Sequence, residues 1–138
     1  MTIQEIQAEI IVEFAMFDDW EERYQYMIDL GKSLPLIKEE FKTEDNIIKG
    51  CQSKVWLKGE QNDGKIVFTA DSDAILTKGI IAILIRTFSN QIPADILEAE
   101  LKFIDEIGLK EHLSATRANG LLSMIKNIKM YALAYSNN

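Results

Sequence analysis

Cysteine is almost missing from this chain: Cys51 is the only one in 138 residues. One thiol excludes an intrachain disulfide, a zinc ribbon and a cysteine-held iron–sulfur cluster, each of which needs more than one sulfur. Histidine is as scarce, with His112 alone. Bases are outnumbered, 15 Lys and Arg against 22 Asp and Glu for a net charge of −7, and no basic stripe is written into the sequence. Nucleic acid is therefore not an expected partner, since duplex binding depends on clustered cations that release counterions. Long apolar runs are missing too. The stretch Gly79-Ile80-Ile81-Ala82-Ile83-Leu84-Ile85 falls well short of the ~20 residues that cross a bilayer, so no membrane association is expected. The N-terminus has no basic region, and Glu5, Glu9 and Glu13 interrupt its apolar residues, so a secretory signal is not expected either. A lone thiol without an export signal fits a reducing compartment, and the expected location is cytoplasmic. No glycine spacing matches a phosphate loop or a dinucleotide fingerprint.

What is present is the composition of one domain spanning residues 1–138, 47% hydrophobic and 27% charged, with seven Gly and two Pro. By size alone such a chain buries about 68% of its unfolded surface and needs no staples. The charge is uneven. Residues 1–45 hold twelve acids against four bases, whereas residues 46–138 hold ten against eleven; the simplest account is a solvated acidic face on amphipathic helices.

Ile3, Ile6, Ile10, Phe14 and Phe17 recur at helical spacing and predict a first helix. Asp18 or Asp19 caps a second, which carries Trp20, Tyr24, Met27 and Ile28 and stops near Gly31. From Lys32 to Asn46 the pattern breaks around Ser33 and Pro35, predicting a loop with at most a turn of helix. After Gly50 the period becomes two. Lys54–Lys58 and Lys65–Ala70 read as antiparallel strands joined by Gln61-Asn62-Asp63-Gly64, and Asn46–Lys49 is a candidate short third strand. Asp71-Ser72-Asp73 then opens a helix over Ile75–Phe88 that is apolar nearly all round. Short helices follow near Ala94–Glu98 and Phe103–Ile107, the latter ended by Gly108. A long helix capped by Ser114 or Thr116 carries Leu121, Ile125, Ile128, Ala132 and Tyr135. Helices flanking one local hairpin give an α+β class.

Cys51 sits between Gly50 and Gln52-Ser53 at a loop-to-strand junction, where a glycine lets a sulfur approach another protein. Lys49 beside it would favour the thiolate. The plainer alternative is a cysteine filling core volume. A Cys/His hydrolase would need His112 as general base for Cys51, but a position just ahead of a helix cap suits an exposed histidine. Asp71 and Asp73 are expected as cap and dipole partners of the central helix. Gly120 in Arg117-Ala118-Asn119-Gly120-Leu121 costs a helix about 1 kcal/mol relative to Ala, which points either to a close helix contact or to a functional one, in which a nearby backbone or partner loop takes the space and Arg117 supplies a forked donor.

Taken together, Gly50-Cys51-Gln52-Ser53-Lys54-Val55-Trp56, Asp71-Ser72-Asp73-Ala74 with Lys78-Gly79, and Arg117-Ala118-Asn119-Gly120-Leu121 with Met124 resemble the SufE family of sulfur-acceptor proteins over almost the whole chain. The resemblance implies an α+β fold with a curved antiparallel sheet of about three strands packed against several helices. It implies that Cys51 takes sulfane sulfur as a persulfide from a pyridoxal-phosphate cysteine desulfurase, stimulates that enzyme, and passes the sulfur to an iron–sulfur cluster scaffold. The chain itself would hold no cofactor and no metal. Gly50, Gln52, Ser53, Asp73 and Arg117 would support the loop and help present it to the desulfurase. The resemblance also implies a sulfur sheltered against apolar residues that swings out on docking. A purely structural activator of the desulfurase remains an alternative, and it would tolerate Cys51→Ser.

Overall fold

The computed structural model describes residues 1–136. The N-terminal helix α1 (Ile3–Ala15) is closed at its start by a capping box in which the Thr2 hydroxyl accepts from the Glu5 amide and the Glu5 carboxylate accepts from the Thr2 amide. It buries Ile3, Ile6, Ile10 and Phe14. Helix α2 (Trp20–Gly31) is capped by Asp19. The segment expected to hold at most one helical turn contains two single 3-10 turns, Glu39–Phe41 and Glu44–Asn46.

Strands β1 (Val55–Asn62) and β2 (Lys65–Ser72) pair antiparallel. The loop between them is shorter than Gln61–Gly64, because only Asp63 and Gly64 lie outside the strands, with φ of 53° and 79°; two successive positive φ values match the twist of a tight hairpin. The inward residues Val55, Leu57, Ile66, Phe68 and Ala70 are buried. The expected third strand is not formed. Among the described residues the regular sheet has two strands, and Asn46–Lys49 contributes a single bridge, Ile47 to Trp56, supported by the Ile48 amide donating to the Val55 carbonyl at 2.8 Å. Gly50, at φ +96°, turns the backbone away before a second bridge is reached. On the other edge, Leu36 and Gln91 each bridge β2 once.

The central helix α3 (Ile75–Phe88) packs on α1, α2, β2 and the C-terminal helix α7 (Ala115–Ser136). That encirclement explains why it is buried on nearly every side. Between them lie α4 (Pro93–Glu98), α5 (Lys102–Glu106) and α6 (Leu109–His112), the last of which lies beyond Gly108, where the sequence pattern predicts no helix. Ser114 is the cap of α7, its hydroxyl accepting from the Arg117 amide. The far half of α7 straps β1: Tyr131 and Tyr135 donate to the Leu57 and Gly59 carbonyls at 3.2 and 2.8 Å. Arg86 of α3 grips Glu13 of α1 through both guanidinium ends at 2.7 and 2.5 Å, and Tyr26 donates to the same carboxylate.

Candidate functional site

The cysteine loop is held at both ends. On one side Ile48 is buried and bonded to Val55. On the other, Asp73 clasps Lys54 twice, its carboxylate accepting from the Lys54 amide at 3.0 Å and its own amide donating to the Lys54 carbonyl at 3.2 Å. Residues 49–53 span the gap. Within them Gln52 is exposed, Ser53 half-buried, and Cys51 half-buried against the core.

The Cys51 Sγ lies 3.6 Å from the Gly120 carbonyl oxygen, a weak S–H donor contact. Around it is a recess of about 50 Å³ lined by the loop, by Thr77 and Ile80 of α3, and by Thr116, Arg117, Gly120 and Met124 of α7. A space of ~10–15 Å³ already admits a water, so the recess accommodates a small addition to the sulfur. Burial pushes the Cys51 thiol up from its usual range. The expectation that Lys49 lowers it is not met, because Lys49 is exposed and desolvation alone sets the direction. Seating thus disfavours the nucleophilic thiolate relative to a sulfur in water.

Gly120 faces the sulfur at close range: a Cβ built there would stand 3.4 Å from Sγ. The space that Gly120 leaves is taken by the cysteine loop and not by another helix. Arg117 is exposed at the rim, in the first turn of α7. Asp73 does not cap the central helix. Helix α3 begins at Ile75 with Ala74 in the cap position and no side-chain cap, and Asp73 is committed to Lys54 instead. Asp71 closes β2, bonded to Lys42 at 2.6 Å and Lys78 at 3.3 Å. Burial raises its carboxyl, and the hydrogen bonds from Lys42, the Ser72 amide and Lys78 more than reverse this, leaving it below its ordinary value. The Lys78-Gly79 pair divides its tasks, since Lys78 pairs with Asp71 while Gly79 serves helix packing.

His112 is not brought to Cys51. Its ring stacks on Trp20 at 4.0 Å between centroids, and its Nδ1 bonds to the Gly108 carbonyl at 3.0 Å. The general base of a Cys/His hydrolase is therefore not at the recess. Sequence reasoning missed Thr77 and Ile80 as walls of the recess; both lie on the helix that follows Asp73, three apart and so on one face. Among the described residues, no three His, Cys, Asp or Glu side chains gather to hold a metal, and no helix is long and apolar enough to cross a membrane.

Comparison with known proteins sets this geometry in context. The SufE family, described as an Fe-S metabolism associated domain, matches residues 8–132. An uncharacterized SufE-like protein of Rhizobium meliloti strain 1021 is 43% identical over 129 residues, covering 90% of this chain and 92% of that one. A second uncharacterized SufE-like protein, of Rhizobium etli, is 41% identical over 126 residues, covering 88% and 85%. The solution structure of a hypothetical protein from Thermus thermophilus superimposes with a TM-score of 0.80 over 96% of this chain and 97% of that one. At 17% identity it speaks for the fold alone. With its fold matched over nearly its full length and its family over residues 8–132, the chain belongs to the SufE family, and its role lies in iron–sulfur metabolism.

Proposed function

We propose that Cys51 is a sulfur acceptor, loaded as a persulfide by a pyridoxal-phosphate cysteine desulfurase that the chain stimulates, and unloaded onto an iron–sulfur cluster scaffold. The observation that carries this is the seat of Cys51. It is the one cysteine of the chain, carried on a tethered five-residue loop and half-sheltered beside Ile80, Gly120 and Met124. A core-filling cysteine needs neither a loop nor a recess.

The chemistry needs one thiol. The Cys51 thiolate attacks the outer sulfur of the donor persulfide, a sulfur–sulfur bond forms as the donor's breaks, and the donor cysteine leaves as a thiolate that takes up a proton. The exchange is redox-neutral, so no second, resolving cysteine is required. Because burial disfavours the thiolate, attack requires the loop to swing out toward the partner, and the recess then shelters an easily oxidised product. Arg117 at the rim and Gln52 and Ser53 beside the sulfur form the surface presented to the partner. Asp73 keeps the trailing end of the loop in place while Gly50 supplies the hinge. The fitting compartment is the cytoplasm, where the thiol stays reduced.

Intact-mass measurement after incubation with a cysteine desulfurase and cysteine tests the reading. A reductant-labile gain of one sulfur atom on this chain is expected, and Cys51→Ser should abolish it. Stimulation of the desulfurase that persists in Cys51→Ser, with no sulfur gained by the unaltered chain, would overturn the carrier in favour of a structural activator.

A further inference from the structure

The cysteine loop touches α7 at a second point, outside the recess around the sulfur. Gly120 and Ser123 are three apart on that helix and share a face. Their tasks are opposite. Gly120 leaves room for the Cys51 sulfur, whereas Ser123 fills the room beside Gly50: a Cβ built on Gly50 would lie 2.5 Å from Ser123 Oγ and 3.4 Å from its Cβ. Gly50 also holds a φ of +96°, which other residues adopt only with strain. Since Ile48 and Lys54 are fixed on either side, extra volume at position 123 that stays over Gly50 displaces residues 49–53. There is space to absorb it, because a groove of about 440 Å³ lined by Asp45, Lys49, Ser123 and Lys126 opens beside the hinge.

We infer that Ser123 is a positioning residue whose side-chain volume sets how deeply the Cys51 loop is seated, and so how accessible the thiol is in the free protein. Its bearing on function rests on the sulfur-acceptor reading; the contact itself concerns the free chain alone. A small residue at 123 lets Gly50 lie against α7 and the sulfur settle over Gly120. A large one lifts the hinge and frees the sulfur.

The test is the rate of Cys51 alkylation by iodoacetamide across the neutral to alkaline range, with thermal melts to confirm folding. Ser123→Leu should raise the rate on the order of three- to tenfold near neutrality, because only the thiolate reacts, and should move the midpoint of the pH–rate profile down toward that of the unfolded chain. Gly50→Ala should do the same, and its effect should shrink in the Ser123→Ala background, where the 2.5 Å clash is gone and only the φ strain remains. A folded Ser123→Leu with the rate and midpoint of the parent overturns the inference. So does a Gly50→Ala effect of equal size in both backgrounds, which decides the matter if Ser123→Leu does not fold. Sulfur loading of the parent chain by a desulfurase is a separate measurement: if it fails while the alkylation cycle holds, the acceptor reading falls and the positioning role stands.

Discussion

Two pairs of glycines divide this molecule. Gly31 and Gly79 lie where α2 crosses α3, so close that a Cβ on Gly79 would sit 2.7 Å from the Met27 carbonyl carbon and one on Gly31 would sit 3.0 Å from the Gly79 nitrogen. There the missing side chains weld backbone to backbone in the buried core. Gly50 and Gly120 instead face the cysteine loop's contacts with α7, where the atoms nearest an added Cβ are the side-chain Ser123 Oγ and Cys51 Sγ. The first pair makes a joint and the second makes a seat. The difference is whether the neighbour is able to move: backbone inside two packed helices cannot give way, whereas a five-residue loop beside an open groove can.

Substitutions sharpen or break that contrast. Gly79→Ala should be the most damaging, lowering stability by about 3 kcal/mol through overpacking, measured as the urea midpoint; a loss under about 0.5 kcal/mol would mean the joint is no tighter than the seat. Gly120→Ala should behave in the opposite way. Its Cβ only touches the sulfur, and the gain in helix propensity is worth up to about 1 kcal/mol, so the melt should hold or rise while persulfide loading of Cys51 falls, as the recess is filled. Parallel loss of both stability and loading would erase the distinction.

Glu13→Gln probes the core side through its charge. The Arg86 hydrogen bonds hold the Glu13 carboxyl below its ordinary value, so its contribution is present above the unfolded carboxylate pKa of about 4.3 and is lost as the pH falls through the lower folded value. With solvent partly screening the pair, the contribution is below about 1 kcal/mol. The acid limb of the stability profile should flatten in Glu13→Gln while thiol alkylation is unchanged. The smallest effect is expected of His112→Ala, which loses the Trp20 stack at about 0.5 kcal/mol. Thermal melting should register it, and sulfur loading should not. Loss of loading there would revive a Cys/His mechanism.

Much of the fold is legible in the order of residues. Ile3, Ile6, Ile10 and Phe14 line the buried side of α1, as their spacing predicts. The hairpin falls where the period changes to two, and α3 is surrounded as its nearly all-round apolar sequence requires. The third strand is the exception, because Asn46–Lys49 has strand-like residues but is followed by Gly50, whose positive φ ends the pairing after one bridge. Asp71 and Asp73 read as caps because their chain neighbours are a helix start, while their actual partners are Lys42, Lys78 and Lys54.

The elements and the available chemistry follow from residue order: helix faces and strand periods arise from residues within a few positions of one another, and one cysteine leaves one thiol. How that sulfur is held depends on long-range packing. The Cys51 sulfur lies against the carbonyl of Gly120, 69 positions away, the loop's anchor is Asp73, 19 positions beyond Lys54, and Gly50 lies against Ser123. Contacts between segments so far apart leave no periodic trace along the chain. They are set by how helices and hairpin pack once their apolar faces have closed together.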